Sequence, residues 1–347
     1  MKIWQRYLFS KLIKTFTFLL FCFFLIYLLV DFSVHGTQFL TAKNGTFSQI
    51  VFYYLYTFSA HLELFCSLVF LLTLLRTLFD LNHSHELIAL HMAGLSKKRI
   101  LAPFFALAAA LALTSYLNLQ YISPYAQEMA GNFRKICKNK QVQQQPLHSI
   151  YLSDDSELIY QKKGKNELFD LFWIRSSNDI WHMKSLSLSK QLQGRYIDHF
   201  YRNEIGQLEK IESFPYRDFP EIPWDNISID HPYISLQNRP LSLLLYQALN
   251  SSTERSGIKT HLFYKLIIPL TPFIILLSLA STCIQFSRKK PLFLITSLSL
   301  FALISLKVIL DGMLILGENQ VLSPAIAILG PFILISGFSL TSFRKVK

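Results

Sequence analysis

The sequence predicts a membrane protein of mixed α and β structure, with six transmembrane helices and a β-rich domain inserted between the third and fourth. Three observations lead to this fold class. Of the 347 residues, 51% are hydrophobic and only 16% are charged, which is unusual for a soluble protein of this length. Six stretches are apolar and long enough to cross a membrane. One long polar segment separates the first three of them from the last three.

Each apolar stretch approaches the 20 residues that a helix needs to cross a hydrocarbon core about 30 Å thick. We expect the six spans at roughly 12–34, 50–75, 100–122, 266–286, 291–311 and 320–343. The first stretch is similar to a signal peptide, but no small-residue cleavage site follows it, so we expect an uncleaved span. Six such stretches in one chain argue against the alternative of buried core helices.

Lysine and arginine residues are distributed unevenly between the loops that flank the spans. The two termini and the loops after spans two and four carry 14 of them. The two short loops on the opposite side, 35–49 and 312–319, carry one, Lys43. Because positively charged loops stay in the cytoplasm, we expect both termini to be cytoplasmic. The net charge of +12 is therefore a signal of topology, and no nucleic-acid partner is expected.

The polar insert, residues 123–261, is long enough to bury a core of its own. With it, we expect three parts: residues 1–122 with spans one to three, the insert, and residues 262–347 with spans four to six. Short strands punctuated by turn residues predict a sandwich or an open barrel. The expected elements are two strands in 149–160 around an acidic turn at Asp154–Asp155, strands at 168–174, 180–188 and 195–201, an irregular segment from Pro215 to Pro232, and a short helix or surface segment at 240–253.

The chain lacks the common sequence motifs of nucleotide-binding ATPases, zinc proteases and serine hydrolases. Walker A, H-E-x-x-H and G-x-S-x-G patterns do not occur. His83, His85 and His91 lie close together, but they lack the compact ligand set that zinc requires, so no metal site is expected. The sequence therefore indicates no catalytic residue and no cofactor. Any ATP hydrolysis is expected in a partner subunit.

Residues 84–94 predict a short helix at the cytoplasmic surface between spans two and three. A carboxylate in its first turn suits the helix dipole, and a glycine is expected to end it. The residues that define this segment are Ser84 and Ser96 as caps, Glu86 in the first turn, Leu87, Leu90 and Met92 on overlapping helical faces, and Gly94 at its end. Two functions stay open: a connecting helix without a partner, or a docking helix that carries force from a cytoplasmic motor.

Charged residues inside the spans are the other candidates for function, since each is costly to place in a membrane. Glu63 lies near the middle of span two. Lys307 and Asp311 are spaced i,i+4 on span five and can form an ion pair. Lys265 lies at the outer end of span four, where it can extend towards the interface. These groups either stabilise helix packing or line a cavity.

Three motifs resemble a known family. Residues Glu86 to Ser96 resemble the E-L-x-x-L-x-x-x-G-x-S signature of the LptF/LptG permeases of the lipopolysaccharide exporter. Arg6-Tyr7 resembles the family's N-terminal start, and residues 265–270 resemble its K-L-x-x-P-L opening of span four. The order of three spans, an insert and three spans is also similar to that of the family.

The resemblance implies a permease subunit of an ATP-driven exporter, which extracts lipopolysaccharide from the inner membrane and passes it to a periplasmic bridge. The implied partners are a cytoplasmic LptB-like ATPase dimer, bound to the helix at 84–94, a second LptF/LptG-type permease and an LptC-like bridge protein. The insert would be a periplasmic β-jellyroll, and spans one and five would form lateral gates. For the phosphates of the lipid we expect Lys43, Lys259, Lys265 and Lys307 as ligands. LptF and LptG stay alternatives.

Two other classes of function remain. An ion-coupled secondary transporter could use Glu63 and the Lys307–Asp311 pair, although such proteins usually have internal repeats and broken helices, which the sequence does not indicate. A membrane-anchored periplasmic scaffold would act through its β-domain alone.

Overall fold

The computed structural model describes most of the chain. The described residues are 3–41, 47–137, 147–152, 156–164, 167–176, 178–188, 192–203, 207–222, 231–232, 236–250, 256–284 and 292–344. Lys43 and the acidic turn at Asp154–Asp155 lie outside them. The contacts divide the chain into a helical unit, residues 1–140 with 259–347, and a β-rich unit, residues 141–258.

The helical unit contains eleven of the α-helices found in the described residues. They are α1 (Ile3–Thr41), α2 (Phe47–Ala60), α3 (Leu62–His83), α4 (Glu86–Met92), α5 (Lys97–Ile100), α6 (Ala102–Tyr121), α7 (Ser123–Cys137), α9 (Ser256–Ile267), α10 (Thr271–Ile284), α11 (Leu292–Glu318) and α12 (Pro324–Arg344); α8 (Leu241–Asn250) belongs to the β-rich unit. Six segments of these helices are long and apolar enough to cross a membrane, which confirms the six expected spans. Their apolar side chains form a core to which α1, α3, α6 and α10 contribute Leu12, Leu74, Leu78, Phe104 and Leu276.

Two of the spans are interrupted, which the sequence analysis did not predict. The stretch expected as span two, 50–75, breaks at His61 between α2 and α3, and the apolar segment long enough to span is Leu62–His83, so Glu63 lies at its start rather than near its middle. Span four contains a 3₁₀ turn, Ile268–Leu270, between α9 and α10. Pro269 explains this second break, because proline has no N–H to donate to the helix. The nearby carbonyl of Leu266 accepts a hydrogen bond of 2.6 Å from the Tyr116 hydroxyl, so the break does not leave it unpaired in the apolar interior.

Residues 123–137 form the helix α7, although the sequence analysis assigned them to the β-rich insert. The helix packs against α2 through an aromatic cluster. The buried members of this cluster are Phe39, Tyr53, Tyr54, Ala130 and Phe133. The contacts of α7 thus place the unit boundary after residue 140 rather than after residue 122.

The β-rich unit contains one seven-stranded antiparallel sheet whose order is β6-β5-β4-β3-β2-β1-β7. Its strands are β1 (His148–Tyr151), β2 (Glu157–Lys163), β3 (Glu167–Ile174), β4 (Asp179–Ser187), β5 (Gln193–Arg202), β6 (Leu208–Asp218) and β7 (His231–Pro232). The strands expected between 149 and 201 are confirmed, as is the helix near 240. The expectation that irregular structure begins at Pro215 was wrong, because Pro215 lies within β6. An edge strand tolerates proline, since its outer N–H groups are not needed for the ladder.

One row of residues interrupts the regular ladder of this sheet from β2 to β6. Each of the four strand pairs skips one position of its ladder, and the skipped positions form a continuous row: Gln161, Asp170, Lys184, Tyr196 and Pro215. Asp170 and Tyr196 have positive φ angles of 50°. In a regular strand every second residue faces inward, but across this row the alternation slips by one residue. Leu168 and Leu171 therefore both face inward in β3, as do Met183 and Leu186 in β4. Both halves of the sheet therefore face one apolar core.

Gly194 lies in this core where a side chain has no space. A Cβ atom there would lie 2.8 Å from the Phe219 ring and 3.1 Å from the sulfur of Met183. We expect Gly194→Ala to destabilise the β-rich unit by about 1–3 kcal/mol, the usual cost of overpacking. Hydrogen exchange of β4 and β5 in the full chain measures the effect. Gly131→Ala on α7, where a Cβ meets nothing within 4 Å, is the matched control. Equal protection in Gly194→Ala and the native chain would contradict this packing.

A buried ion pair joins the sheet to the segment before α8. The Arg239 guanidinium donates to both carboxylate oxygens of Glu157 at 2.9 and 3.0 Å, and to the amide oxygen of Gln247 at 3.2 Å. The side chains of Arg239 and Glu157 are only 5% and 9% exposed. Nη2 of the guanidinium makes both contacts with Glu157 and Nη1 contacts Gln247, so this charge-assisted pair holds the segment before α8 against β2.

Candidate functional site

The first candidate site is α4, the short helix that connects span two with span three. It has seven residues and is about 10 Å long, shorter than the ten residues expected. Its N-cap is His85, in the left-handed conformation with φ of 57° and without a side-chain capping bond. The expectation that Ser84 caps α4 was wrong. Its hydroxyl donates to the carbonyl of Asp80 at 2.7 Å and to Glu86 Oε1 at 3.0 Å.

The end of α4 follows the glycine geometry that the sequence predicted. Gly94 has a φ of 81°, and its N–H donates to the carbonyl of His91 at 2.9 Å. The Leu95 N–H donates to the carbonyl of Leu90 at 3.2 Å, which completes a Schellman motif. Ser96 lies at the N-cap position of α5 but makes no side-chain capping bond. This motif therefore ends α4 and sets the direction in which the chain continues towards α5.

The two sides of α4 differ in exposure. Leu87 is 2% exposed and belongs to the apolar core of the helical unit, and Leu90 packs against that core. On the other side Ile88 is partly exposed, and Met92 is 85% exposed. The core thus fixes one face of α4, while the other presents an apolar surface that other parts of the described chain do not cover.

Glu86 makes contacts that the sequence analysis missed. Its Oε2 accepts a hydrogen bond of 3.1 Å from the Tyr7 hydroxyl, and its Oε1 lies 3.6 Å from Lys11 Nζ. Tyr7 and Lys11 are one turn apart on α1, so they share one face of that helix. The Arg6-Tyr7 motif was the available signal for this contact, but spacing along the sequence does not show that α1 and α4 meet.

The second candidate site is a charged cluster inside the membrane. Lys307 Nζ lies 3.1 Å from Asp311 Oδ1, which confirms the pair expected from the i,i+4 spacing. Tyr264 of α9, which the sequence did not suggest, donates its hydroxyl to Asp311, and Lys307 donates to the same hydroxyl. The Lys307 ammonium also lies 4.8 Å from the centre of the Tyr264 ring. This cluster binds α11 to α9.

Three of the four lysines expected for phosphate binding lie among the described residues, and their environments differ. Lys43 lies outside the described residues, and Lys259 is partly exposed near the start of α9. Lys265 is only 6% exposed, so the expectation that it extends towards the interface was wrong. The cause is the earlier start of span four at Ser256, which places Lys265 inside the helical unit. Glu63 interacts electrostatically with both Lys265 and Lys307.

A cavity of about 160 Å³ adjoins this cluster. It opens between α3, α11 and the 3₁₀ turn of span four, beside both helix interruptions. Its polar lining includes Glu63, Ser67, Thr271 and Lys307. Ser67 and Thr271 are joined by a hydrogen bond of 2.7 Å between their hydroxyls, which links α3 to α10 below the cavity. The remaining lining is mostly apolar, so the cavity suits an amphiphile better than a hydrated ion.

Comparison with families of known proteins identifies a match over most of the chain. The model of a family described as lipopolysaccharide export system permease LptF/LptG matches residues 6–345, which is nearly the whole chain. No curated protein matches the sequence.

Proposed function

Because this chain belongs to the LptF/LptG family of lipopolysaccharide export permeases, we propose that it is one of two permease subunits in an ATP-driven exporter of lipopolysaccharide. Family membership and the six apolar helices make the chain a multi-pass inner-membrane transport subunit and not an enzyme. The finer proposal concerns how it is oriented, what drives it and which residues the lipid touches. It applies to LptF and LptG alike.

We propose that both termini and α4 face the cytoplasm. The positive charges at 97–99 and near both termini support this orientation, since such residues are retained on the cytoplasmic side. The β-rich unit then lies in the periplasm. The segment that bears Lys43, between α1 and α2, lies on that side as well.

The observation that carries the proposal is the two-sided environment of α4. Leu87 fixes the helix to the membrane core, while Ile88 and Met92 are available to a partner. A helix held this way transmits a push on its outer face to the spans. We propose that an LptB-like ATPase dimer binds this face, with Glu86, Leu87, Leu90, Gly94 and Ser96 giving α4 its position and shape.

Co-purification tests this coupling most simply. When the chain is expressed with its ATPase and the second permease, the ATPase should remain bound through affinity purification in detergent. Truncation of the loop from Glu86 to Gly94 should release it. Retention of the ATPase after that truncation would contradict the proposal.

We propose that α1 and α11 form the lateral gates next to the second permease. Both helices carry long rows of exposed apolar residues, such as Phe18 and Leu29 on α1 and Phe301 and Val308 on α11. Lipid tails or a second permease can cover these rows. Lipopolysaccharide would enter between the gates from the outer leaflet, and closure of the ATPase dimer would compress the space and lift the lipid.

We propose that the acyl chains leave the membrane along the apolar side of the sheet in the β-rich unit. An amphiphile that leaves a bilayer loses about 0.8 kcal/mol for each exposed CH₂ group, so it needs both an energy source and a continuous apolar surface. The folded sheet with its single core, including Trp173 and Trp181, supports this role. We propose that an LptC-like bridge receives the lipid from this unit.

Among the four lysines, we propose Lys307 as the residue nearest to the lipid, because it lines the cavity. Lys307→Glu should reduce photo-crosslinking of lipopolysaccharide to the chain by about tenfold, since loss of a charge-assisted hydrogen bond costs about 1.5–3 kcal/mol. Lys98→Glu, an exposed lysine near α4, is the control. Undiminished crosslinking in Lys307→Glu would exclude Lys307 from the lipid site.

The helix interruptions favour one second candidate, an ion-coupled transporter, because such proteins bind their ions at broken helices. Glu63 and the Lys307–Asp311 pair lie beside these interruptions. Uptake of lipid that follows an ion gradient in proteoliposomes without any ATPase would support this candidate over the exporter.

A further inference from the structure

The contact between Glu86 and α1 points to a role for Glu86 inside the chain. Glu86 is the first residue of α4, and its two carboxylate oxygens accept or pair with three groups: the Tyr7 hydroxyl, the Ser84 hydroxyl and the Lys11 ammonium. Two of these groups belong to the first turns of α1. The carboxylate thus turns towards α1 and away from Met92.

Apolar residues of α1 and of α4 belong to one core. Leu8 and Leu12, on the adjoining face of α1, are buried in the same core cluster as Leu87. They are 1% and 0% exposed. The start of α1 and the helix α4 therefore border the same apolar core, and the polar contact joins them directly. A packed contact alone can slide, whereas hydrogen bonds to a carboxylate fix the register.

We propose that Glu86, Tyr7 and Lys11 form a link that makes the start of α1 move together with α4. This inference rests on the proposed function and deepens it. A push on the outer face of α4 reaches α1, one of the proposed gates, through this link rather than through the length of α3. Glu86 is then a positioning residue, which acts through Tyr7 and Lys11, and the outer face of α4 is the surface for the ATPase.

The test measures the yield of lipid transferred per ATP hydrolysed by the complete complex in proteoliposomes. Tyr7→Phe removes one hydroxyl and keeps the ring. It should leave the ATPase bound and active, and it should lower the yield of lipid per ATP at least threefold. Tyr121→Phe, an exposed tyrosine at the far end of α6, is the matched control and should keep the native yield.

A charge exchange gives a second, independent readout. Lys11→Glu and Glu86→Lys should each lower the yield, and the double variant, which restores an ion pair of opposite polarity, should recover at least half of it. A normal yield in Tyr7→Phe, or a double variant no better than Glu86→Lys alone, would overturn the link. Loss of ATPase binding in Glu86→Lys that the exchange does not restore would instead place Glu86 at the ATPase interface, which also overturns it.

Failure of the proposed function itself has a different signature. If no ATPase binds the native chain, the yield per ATP is undefined for every variant, and the exporter proposal falls together with this link. If the ATPase binds and only the charge exchange fails, the exporter proposal stands and the link does not.

Discussion

Substitution of Met92 by aspartate should release the ATPase from the complex. Met92 is the most exposed side chain of the apolar face of α4, so its replacement adds a charge to the proposed interface and removes a flexible thioether. Central interface residues cost about 2 kcal/mol or more when lost, so we expect binding to weaken at least thirtyfold. Affinity of the purified ATPase for the permease pair in nanodiscs measures the change.

Met129→Asp is the matched control for this experiment. Met129 is a half-exposed methionine on α7, remote in sequence from α4, and its substitution should leave the affinity of the ATPase unchanged. If Met92→Asp binds the ATPase as tightly as the native chain, the exposed face of α4 is not the docking surface.

Substitution of Arg239 by alanine should have the largest effect on stability. The change leaves the Glu157 carboxylate buried without its cationic partner, and removal of one member of a buried ion pair typically costs about 3–5 kcal/mol. Thermal unfolding and hydrogen exchange of the β-rich unit in the full chain measure the loss. Protection should fall first in β1 and β2.

Two further variants separate this cost from a general effect of losing an arginine. Arg175→Ala breaks an exposed pair with Glu221, at 3.2 Å, and should cost less than about 1 kcal/mol. The double variant Arg239→Met with Glu157→Met removes both charges and should be more stable than Arg239→Ala. Equal losses in Arg239→Ala and Arg175→Ala would contradict a buried, structural role for the pair.

The sequence predicted those features that depend on local composition. The six spans followed from apolar length, and Gly94 as the end of α4 followed from the preference of glycine for positive φ. The ion pair of Lys307 with Asp311 followed from helical spacing. The strands from β1 to β5 followed from alternating and aromatic residues.

Features that depend on the meeting of distant segments were not predictable in this way. Tyr7 and Glu86 are 79 residues apart, and Tyr264 and Asp311 are 47 apart, so no local pattern joins them. The helix α7 was missed because its polar face made the segment similar to the insert. The interruption at His61 was missed because the stretch around it is apolar on both sides, and hydropathy does not detect a local change of backbone geometry. The interrupted row of the sheet contains Asp170 and Tyr196 at positive φ, a conformation that is uncommon for residues other than glycine, although aspartate adopts it more often than tyrosine does.

Release of lipopolysaccharide from reconstituted membranes tests the central claim most directly. The permease pair would be placed in proteoliposomes with labelled lipopolysaccharide, the bridge protein outside, and ATP, with and without the ATPase. We predict that the bridge acquires lipid only when ATP and ATPase are both present, and that the chain alone hydrolyses no ATP. Lipid transfer to the bridge without the ATPase, or ATP hydrolysis by the purified chain, would contradict the account.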